Sequence, residues 1–426
     1  MNAHSAPTAR LDVQSIKKDF PILDRRVRDD KPLVYLDSAA TSQKPLQVLD
    51  AERDFYLRHN AAAHRGAHQL AEEATEAYES ARQSVAAFLG AQESDIVFTR
   101  NATEAINLVA YALSNASATR PGGAPLTLGP GDEILVTEME HHANLVPWQQ
   151  LAERTGATLR WATITTEGRL DEASFDRALG ERTKLVAVTH QSNVLGTINP
   201  VASLASRAHA AGALVLVDAA QSVAHQALDV TELGADFLVF SAHKMLGPNG
   251  IGALWGRQEL LAEMPPFITG GSMIETVRMD RTTFLPPPQR FEAGVPLAPQ
   301  AVGLAAAITY LSDLGMTAVE AHEAELTRLT LEGLAGLKGI SVVGPVTTED
   351  RGATVSFTVD GIHPHDVGQV LDDQGVAVRT GHHCARPICD RYSIPASTRA
   401  SFYVYNTPED VTALIAGIES AQRFFA

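Results

Sequence analysis

The sequence predicts an α/β protein with a mainly parallel seven-stranded sheet in a large domain, followed by a smaller α/β C-terminal domain. Three observations lead there. From about residue 31, short β-rich runs alternate with helical stretches, the pattern of strand–helix–strand units. The chain has 426 residues, more than one hydrophobic core usually serves, so two packed units are expected. Hydrophobic residues make up 45% and charged residues 20%, proportions of an ordinary globular chain, so no disorder is expected beyond the termini.

Taken in order, residues 1–10 read as a loose tail and 13–20 as a short helix stopped by Pro21, whose ring removes a backbone donor. The strands fall at 95–99, 133–137, 158–162, 185–189, 214–218, 237–241 and 252–255. Helices are expected at 71–90, 103–114, 145–155, 174–179 and 201–211. The segment from Asn115 to Pro130, rich in Gly, Pro, Ala and Thr, reads as an exposed insertion. Prolines 286–288 and the run to Pro296 precede a long helical pattern that opens near Pro299. Beyond it come helices at 299–314 and 317–336, strands at 340–343 and 353–359, and helices at 364–374 and 408–424. The expected domains are therefore 1–30, a segment packing with the small domain; 31–296, the large domain; and 297–426, the small one.

A net charge of -16 argues against nonspecific binding to nucleic acid or to an anionic membrane, both of which call for clustered Lys and Arg. Two cysteines five positions apart cannot staple a fold of this size, so a reducing compartment suits the chain better than secretion. Met1 to Arg10 lacks an apolar signal core. The longest apolar runs fall short of the ~20 residues a membrane span needs. A cytoplasmic protein is expected.

In open parallel sheets, ligands sit beyond the carboxyl ends of the strands. The residues just past those ends are Asn101-Ala102-Thr103, Glu138-Met-Glu-His141-His142, His190-Gln-Ser-Asn193, Asp218 with Gln221, and Ser241-Ala-His243-Lys244. A Lys and an Asp separated by one strand–helix–strand length suggest pyridoxal phosphate chemistry. The lysine forms the Schiff base, and the carboxylate keeps the pyridine nitrogen protonated so that the ring withdraws electrons. A phosphate cup is available from Thr103 and the amides opening the helix after the strand at 95–99, with Ser241 and His243.

Near the C-terminus, Arg379-Thr-Gly-His-His-Cys384 places a cysteine beside a guanidinium and two imidazoles. Nearby cations favour the thiolate, the nucleophilic form. Metal binding by His382, His383, Cys384 and Cys389 is a second reading, and packing a third.

Asn60-Ala-Ala-Ala-His-Arg-Gly66, Met139-Glu-His-His-Ala-Asn144, Asn193-Val-Leu-Gly-Thr197, Val217-Asp-Ala-Ala-Gln221, Ser241-Ala-His-Lys244, Arg379-Thr-Gly-His-His-Cys-Ala385 and Arg399-Ala-Ser-Phe-Tyr-Val-Tyr-Asn-Thr407 recur in one known group. Through them the chain, from about residue 30 to its end, resembles the fold type I pyridoxal phosphate enzymes of the class V aminotransferase family. Within that family it resembles the SUF-type (group II) cysteine desulfurases, also called selenocysteine lyases.

The resemblance implies conversion of L-cysteine to L-alanine with a persulfide on Cys384, supplying sulfur for iron–sulfur cluster assembly. It implies that Lys244 carries the cofactor, His141 stacks on its ring and serves as a proton donor, and Asp218 pairs with the pyridine nitrogen. Gln221 and Asn193 are expected at the 3′-oxygen and nearby groups, and Thr103, Ser241 and His243 at the phosphate. Arg399 is the expected partner of the substrate carboxylate, with Arg379 and the loop histidines beside the thiolate and His64 near the site and a subunit interface. A homodimer is implied, as is a SufE-like or zinc-containing SufU-like sulfur acceptor, for which His365 is a possible zinc ligand. No resident metal is expected. Two departures stand out: relatives often have two threonines where this chain has Ala102-Thr103, and Val295 replaces a threonine that reaches the neighbouring subunit's phosphate.

Overall fold

The computed structural model describes residues 10–119 and 126–426, so the tail at 1–9 and the insertion residues 120–125 lie outside the described residues. Its centre is a seven-stranded sheet of β1 (Ile96–Thr99), β2 (Glu133–Thr137), β3 (Thr158–Ala162), β4 (Thr183–Thr189), β5 (Leu214–Asp218), β6 (Phe237–Ser241) and β7 (Gly252–Gly256), in the order β1-β7-β6-β5-β4-β2-β3. Only β7 runs antiparallel to its neighbours. The other pairs are parallel. Continuous apolar runs such as Leu-Val-Leu-Val in β5 suit a sheet covered on both faces, and Val215, Leu216 and Val217 are fully buried.

Helices α1 (Gln69–Phe88), α2 (Ala102–Thr119), α3 (Val146–Thr155), α4 (Glu172–Ala178) and α5 (Val201–Ala210) provide that cover. Helix α2 corrects the expected insertion at its near end, because Asn115–Thr119 continue the helix. Its buried face, Ala105, Val109, Ala112, Leu113 and Ala116, keeps the helical spacing past residue 114, and the first strong breaker is Pro121. At the N-terminus the helix is shorter than expected, Val13–Lys17, capped by the Asp12 carboxylate accepting from the Ser15 amide. Pro21 opens a separate 3₁₀ turn, Pro21–Asp24, where its missing donor costs nothing.

The C-terminal part contains α6 (Ala298–Leu314), α7 (Met316–Ala335), α8 (Pro364–Asp373), α9 (Arg386–Arg391) and α10 (Pro408–Phe425). They flank an antiparallel sheet of β8 (Ile340–Val343), β9 (Thr354–Val359), β10 (Arg379–Gly381) and β11 (Ser397–Ser401), ordered β8-β9-β11-β10. The sequence reading did not anticipate β10 and β11, whose residues are mostly polar or small. Pairing with each other and with β9 holds them. Helix α6, placed with the C-terminal part by the expected boundary at 296, buries Ala301, Leu304, Ala307 and Leu311 in a cluster shared with Val85, Leu89 and Leu246. The N-terminal segment touches the C-terminal part through Arg28–Asp372, Lys17–Asp410 and the ring of Phe20 against Tyr405.

A buried ion pair ties α1 to the Glu292 segment. Arg82 is 1% exposed and donates to both Glu292 oxygens at 2.7 and 2.9 Å. Glu292 also accepts from the Phe98 amide and the Tyr78 hydroxyl. Arg82 keeps its pair with Glu79 at 2.8 Å, so Glu292→Ala removes charge-assisted hydrogen bonds without leaving a bare charge and should destabilise the fold by about 1.5–3 kcal/mol. The check is the denaturation midpoint, which should fall clearly below that of the native protein.

Candidate active site

The carboxyl ends of β1, β2, β4, β5 and β6 surround a cavity of about 200 Å³, and the loop after β10 closes its other side. It is lined by Thr103, His141, Asn193, Asp218, Gln221, Ser241, His243, Lys244, Arg379, Cys384 and Arg399. Residues scattered over almost 300 positions of sequence are thus brought to one site by two sheets facing each other.

One end suits a phosphate. Helix α2 begins here, capped by the Asn101 side chain accepting from the Glu104 amide at 2.9 Å. The Ser241 hydroxyl accepts from the Ala102 amide at 2.8 Å, which leaves its own O–H free to donate. Thr103 adds a second hydroxyl, and the helix start favours negative charge. The strand ends approach closely because residue 252 is glycine; a Cβ there would lie 2.4 Å from the Phe240 carbonyl oxygen and 2.8 Å from Asn101 Cα. Burial and the cations Lys244 and Lys44 hold His243 down to about 4, so it is neutral and able to donate only one ring hydrogen.

The middle suits a pyridine ring. Asp218 is fully enclosed at the end of β5; burial raises its pKa, while the Ala220 amide and Lys244 lower it. Burial pulls Lys244 down to about 8 against the opposing effect of Asp218. His141 is held near 3 by burial, then by Lys244, and its Nδ1 accepts from the Ala143 amide at 3.0 Å. It is therefore a neutral ring with its hydrogen on Nε2. Gln221 donates through Nε2 to the Ala39 carbonyl, and its buried Oε1 has no partner. An unpaired buried acceptor, an enclosed carboxylate, a lysine with a weakened proton and a helix-start phosphate seat together fit pyridoxal phosphate.

Toward the mouth lie two guanidiniums. Arg379 and Arg399 are directly opposed across the β10–β11 pair. Like charges so placed destabilise a bare sheet, so the pair marks an anion site. Arg399, 2% exposed, donates to the Asn193 carbonyl at 3.0 Å and to Asp37 at 3.1 Å, while its Nε has no partner. The sequence reading did not single out Asp37. Its position just after the apolar Val34-Tyr35-Leu36 run was the available signal. Asn193 also donates to the His383 carbonyl at 2.7 Å, joining Arg399 to the cysteine loop.

Cys384 is exposed on that loop, and both His383 and Cys384 adopt positive φ, 51° and 56°. His383 departs from its expected part beside the thiolate. It is buried, its Nε2 faces the Ser397 carbonyl at 3.1 Å, and burial with Arg399 holds it near 3. It is a neutral anchor and supplies no cation. His142 donates its amide to the Cys384 carbonyl at 2.6 Å and accepts at Nε2 from the Arg386 amide at 3.0 Å.

Two expected site residues lie elsewhere in this chain. His64, at φ 64°, bonds Glu79 at 2.8 Å outside the cavity. His365 is exposed at the start of α8, its amide bonded to the His363 ring. Cys389 is buried, and burial raises its pKa. Among the described residues, no group of three His, Cys, Asp or Glu side chains is arranged to hold a metal ion. No single helix among them is long and apolar enough to cross a membrane.

A probable cysteine desulfurase of Streptomyces coelicolor is 55% identical over 416 residues, covering 97% of this chain and 98% of that protein. The apo structure of a cysteine desulfurase from Thermococcus onnurineus superposes with a TM-score of 0.89 at 40% identity, covering 99% of this chain and 100% of its own. A more distant structure, a C-DES mutant with glycine covalently linked to its PLP cofactor, matches at a TM-score of 0.79 and 25% identity, over 94% of this chain and 98% of its own. The family described as aminotransferase class-V matches residues 34–414. With that family spanning nearly all of both sheets, the chain belongs to the class-V aminotransferases.

Proposed function

We propose that the protein is a pyridoxal phosphate-dependent cysteine desulfurase that converts L-cysteine to L-alanine and receives the sulfur on Cys384. One observation carries this reading: the exposed cysteine lines the same cavity as the half-buried Lys244. Bound pyridoxal phosphate supplies an electron sink for the substrate's Cα. Lys244 would hold it covalently, with Asp218 serving its nitrogen, His141 its ring and the Gln221 acceptor its polar edge. Thr103, Ser241, His243 and the α2 amides would hold its phosphate.

Arg399, fixed by Asp37 and Asn193, takes the substrate carboxylate, with Arg379 adding charge at the mouth. Lys244, once released and neutral, removes the Cα proton. The Cys384 thiolate then attacks the substrate sulfur: an S–S bond forms, the substrate's Cβ–S bond breaks, and its electron pair stays with the substrate, which takes one proton at Cβ and regains one at Cα to give alanine. The neutral state of His141 favours its service as a stacking face and hydrogen-bond donor over that of a charged acid. The test is to supply L-cysteine to the cofactor-loaded protein and measure alanine and the mass of the peptide holding Cys384. One alanine per sulfur gained supports the reading, and alanine without a persulfide removes it.

Because Lys244 must be neutral to act as base, and burial places it near 8, single-turnover deprotonation should slow about tenfold per pH unit below about 8. A stopped-flow pH profile checks this. A flat profile from pH 6 to about 8 would show that another group takes the proton.

We place the enzyme in the cytoplasm as a SUF-type homodimer feeding iron–sulfur cluster assembly, with selenocysteine as a second substrate. We keep the boundaries 1–30, 31–296 and 297–426 for its N-terminal segment, large domain and small domain, with α6 of the last packed on the large one. The exposed Val277, Met279 and Val295, 59%, 106% and 80% accessible, support a subunit contact that also takes in the His64 loop. The exposed cysteine supports delivery to a SufE-like or SufU-like acceptor, with His365 offering zinc a ligand in the latter complex. His365→Ala should leave alanine formation without acceptor unchanged and reduce stimulation by a zinc-containing acceptor at least about tenfold, the cost of one lost metal-positioning group. Stimulation at the native level would remove His365 from that role.

A further inference from the structure

Two consecutive non-glycine residues in the left-handed region do not hold themselves there; such a conformation persists where surrounding contacts over-determine it. His383 and Cys384 are such a pair. Asn193 holds the first through the His383 carbonyl, and the Ala385 amide closes the turn on the His382 carbonyl at 2.9 Å. The carbonyl of Cys384 itself is held by one residue, His142, whose amide donates to it at 2.6 Å.

His142 reaches the other side of the same turn as well. Its Nε2 accepts from the amide of Arg386, the residue that opens α9, at 3.0 Å. The bonds to Cys384 and Arg386 straddle Ala385, so one residue grips the loop at two points. Accepting at Nε2 requires the neutral ring with its hydrogen on Nδ1. Burial, and then His382, keep the pKa of His142 below its ordinary value, in keeping with that state. The neighbouring His141 lines the cavity, so the clamp ties the cysteine to the turn that also presents the ring-covering imidazole.

We infer that His142 is a positioning residue for sulfur transfer, fixing Cys384 through this two-point clamp without touching the reacting atoms. Its catalytic consequence rests on the desulfurase reading. Its structural content does not.

The experiment uses the cofactor-loaded native protein, His142→Ala, His142→Leu and His142→Gln. Leucine fills the space of the imidazole without an acceptor and replaces the alanine variant if that one fails to fold. Glutamine offers Oε1 to the Arg386 amide. Hydrogen exchange at Arg386 and alkylation of Cys384 by iodoacetamide report the clamp directly, with no need for turnover. A lost hydrogen bond of ordinary worth should change both rates by about 3- to 10-fold in the alanine or leucine variant, and glutamine should restore them to within about 2-fold. Persulfide formation should fall about 10-fold with KM for L-cysteine and cofactor absorbance unchanged, since misplacement of a nucleophile acts on the chemical step. Native exchange and alkylation rates in the variants without an acceptor overturn the clamp. A clamp confirmed by exchange in a native protein that forms no persulfide would instead count against the desulfurase reading.

Discussion

Lys244→Ala is expected to lower L-cysteine turnover at least about 10³-fold, because one substitution removes both the covalent hold on the cofactor and the base that takes the Cα proton. The size follows from the site. Lys244 is half-buried in the cavity, and desolvation there brings its proton affinity down to about 8, where the neutral amine is well populated near physiological pH. The neighbouring titratable groups cannot take over. His141 and His243 sit near 3 and 4, far too weak as bases, and Asp218 lies at the sheet's floor with an oxygen already bonded to the Ala220 amide. Borohydride reduction followed by denaturation should leave cofactor attached to the native chain and free it from the variant. Turnover within tenfold of native would mean that Lys244 is not the base.

The second large effect is expected at the mouth. Cys384→Ala should abolish persulfide formation and reduce sulfur release at least about 100-fold, while cofactor absorbance and the spectral response to added L-cysteine persist. Alanine fits the position without crowding, since the side chain is exposed. The positive φ of 56° is as awkward for alanine as for cysteine, so the loop should keep its course under the same bonds. The buried Cys389 cannot substitute: burial raises its pKa and disfavours its thiolate. Equal alanine and sulfide from both proteins would leave Cys384 a bystander and favour a transaminase or lyase without a nucleophilic thiol.

Much of this arrangement was legible in the chain. All seven strands of the large sheet were marked by short apolar runs, and the strand-end residues Asp218, His141 and Lys244 could be placed on one rim because parallel sheets present their ends together. What escaped was set by contacts between distant segments. Strands β10 and β11 lack an apolar pattern and exist through pairing, so the opposition of Arg379 to Arg399 was invisible. Asp37, 362 positions before Arg399, carried no signal of its partner. The His-His doublet of the cysteine loop looked like a source of positive charge. Its second member proved to be turned into the interior, because Ser397 is waiting there to accept its hydrogen bond.

That inward turn separates two kinds of electrostatics. With His383 and His141 neutral across the physiological range, the fixed positive charge around the thiol comes from guanidiniums, which keep their protons at any pH a cell reaches. The guanidinium share of the field that an arriving anion meets is therefore insensitive to acidity, while the proton-transfer machinery centred on Lys244 is not. Substrate capture and chemistry should respond independently to a change of cellular pH, so a drop in pH would slow an enzyme that still fills its site.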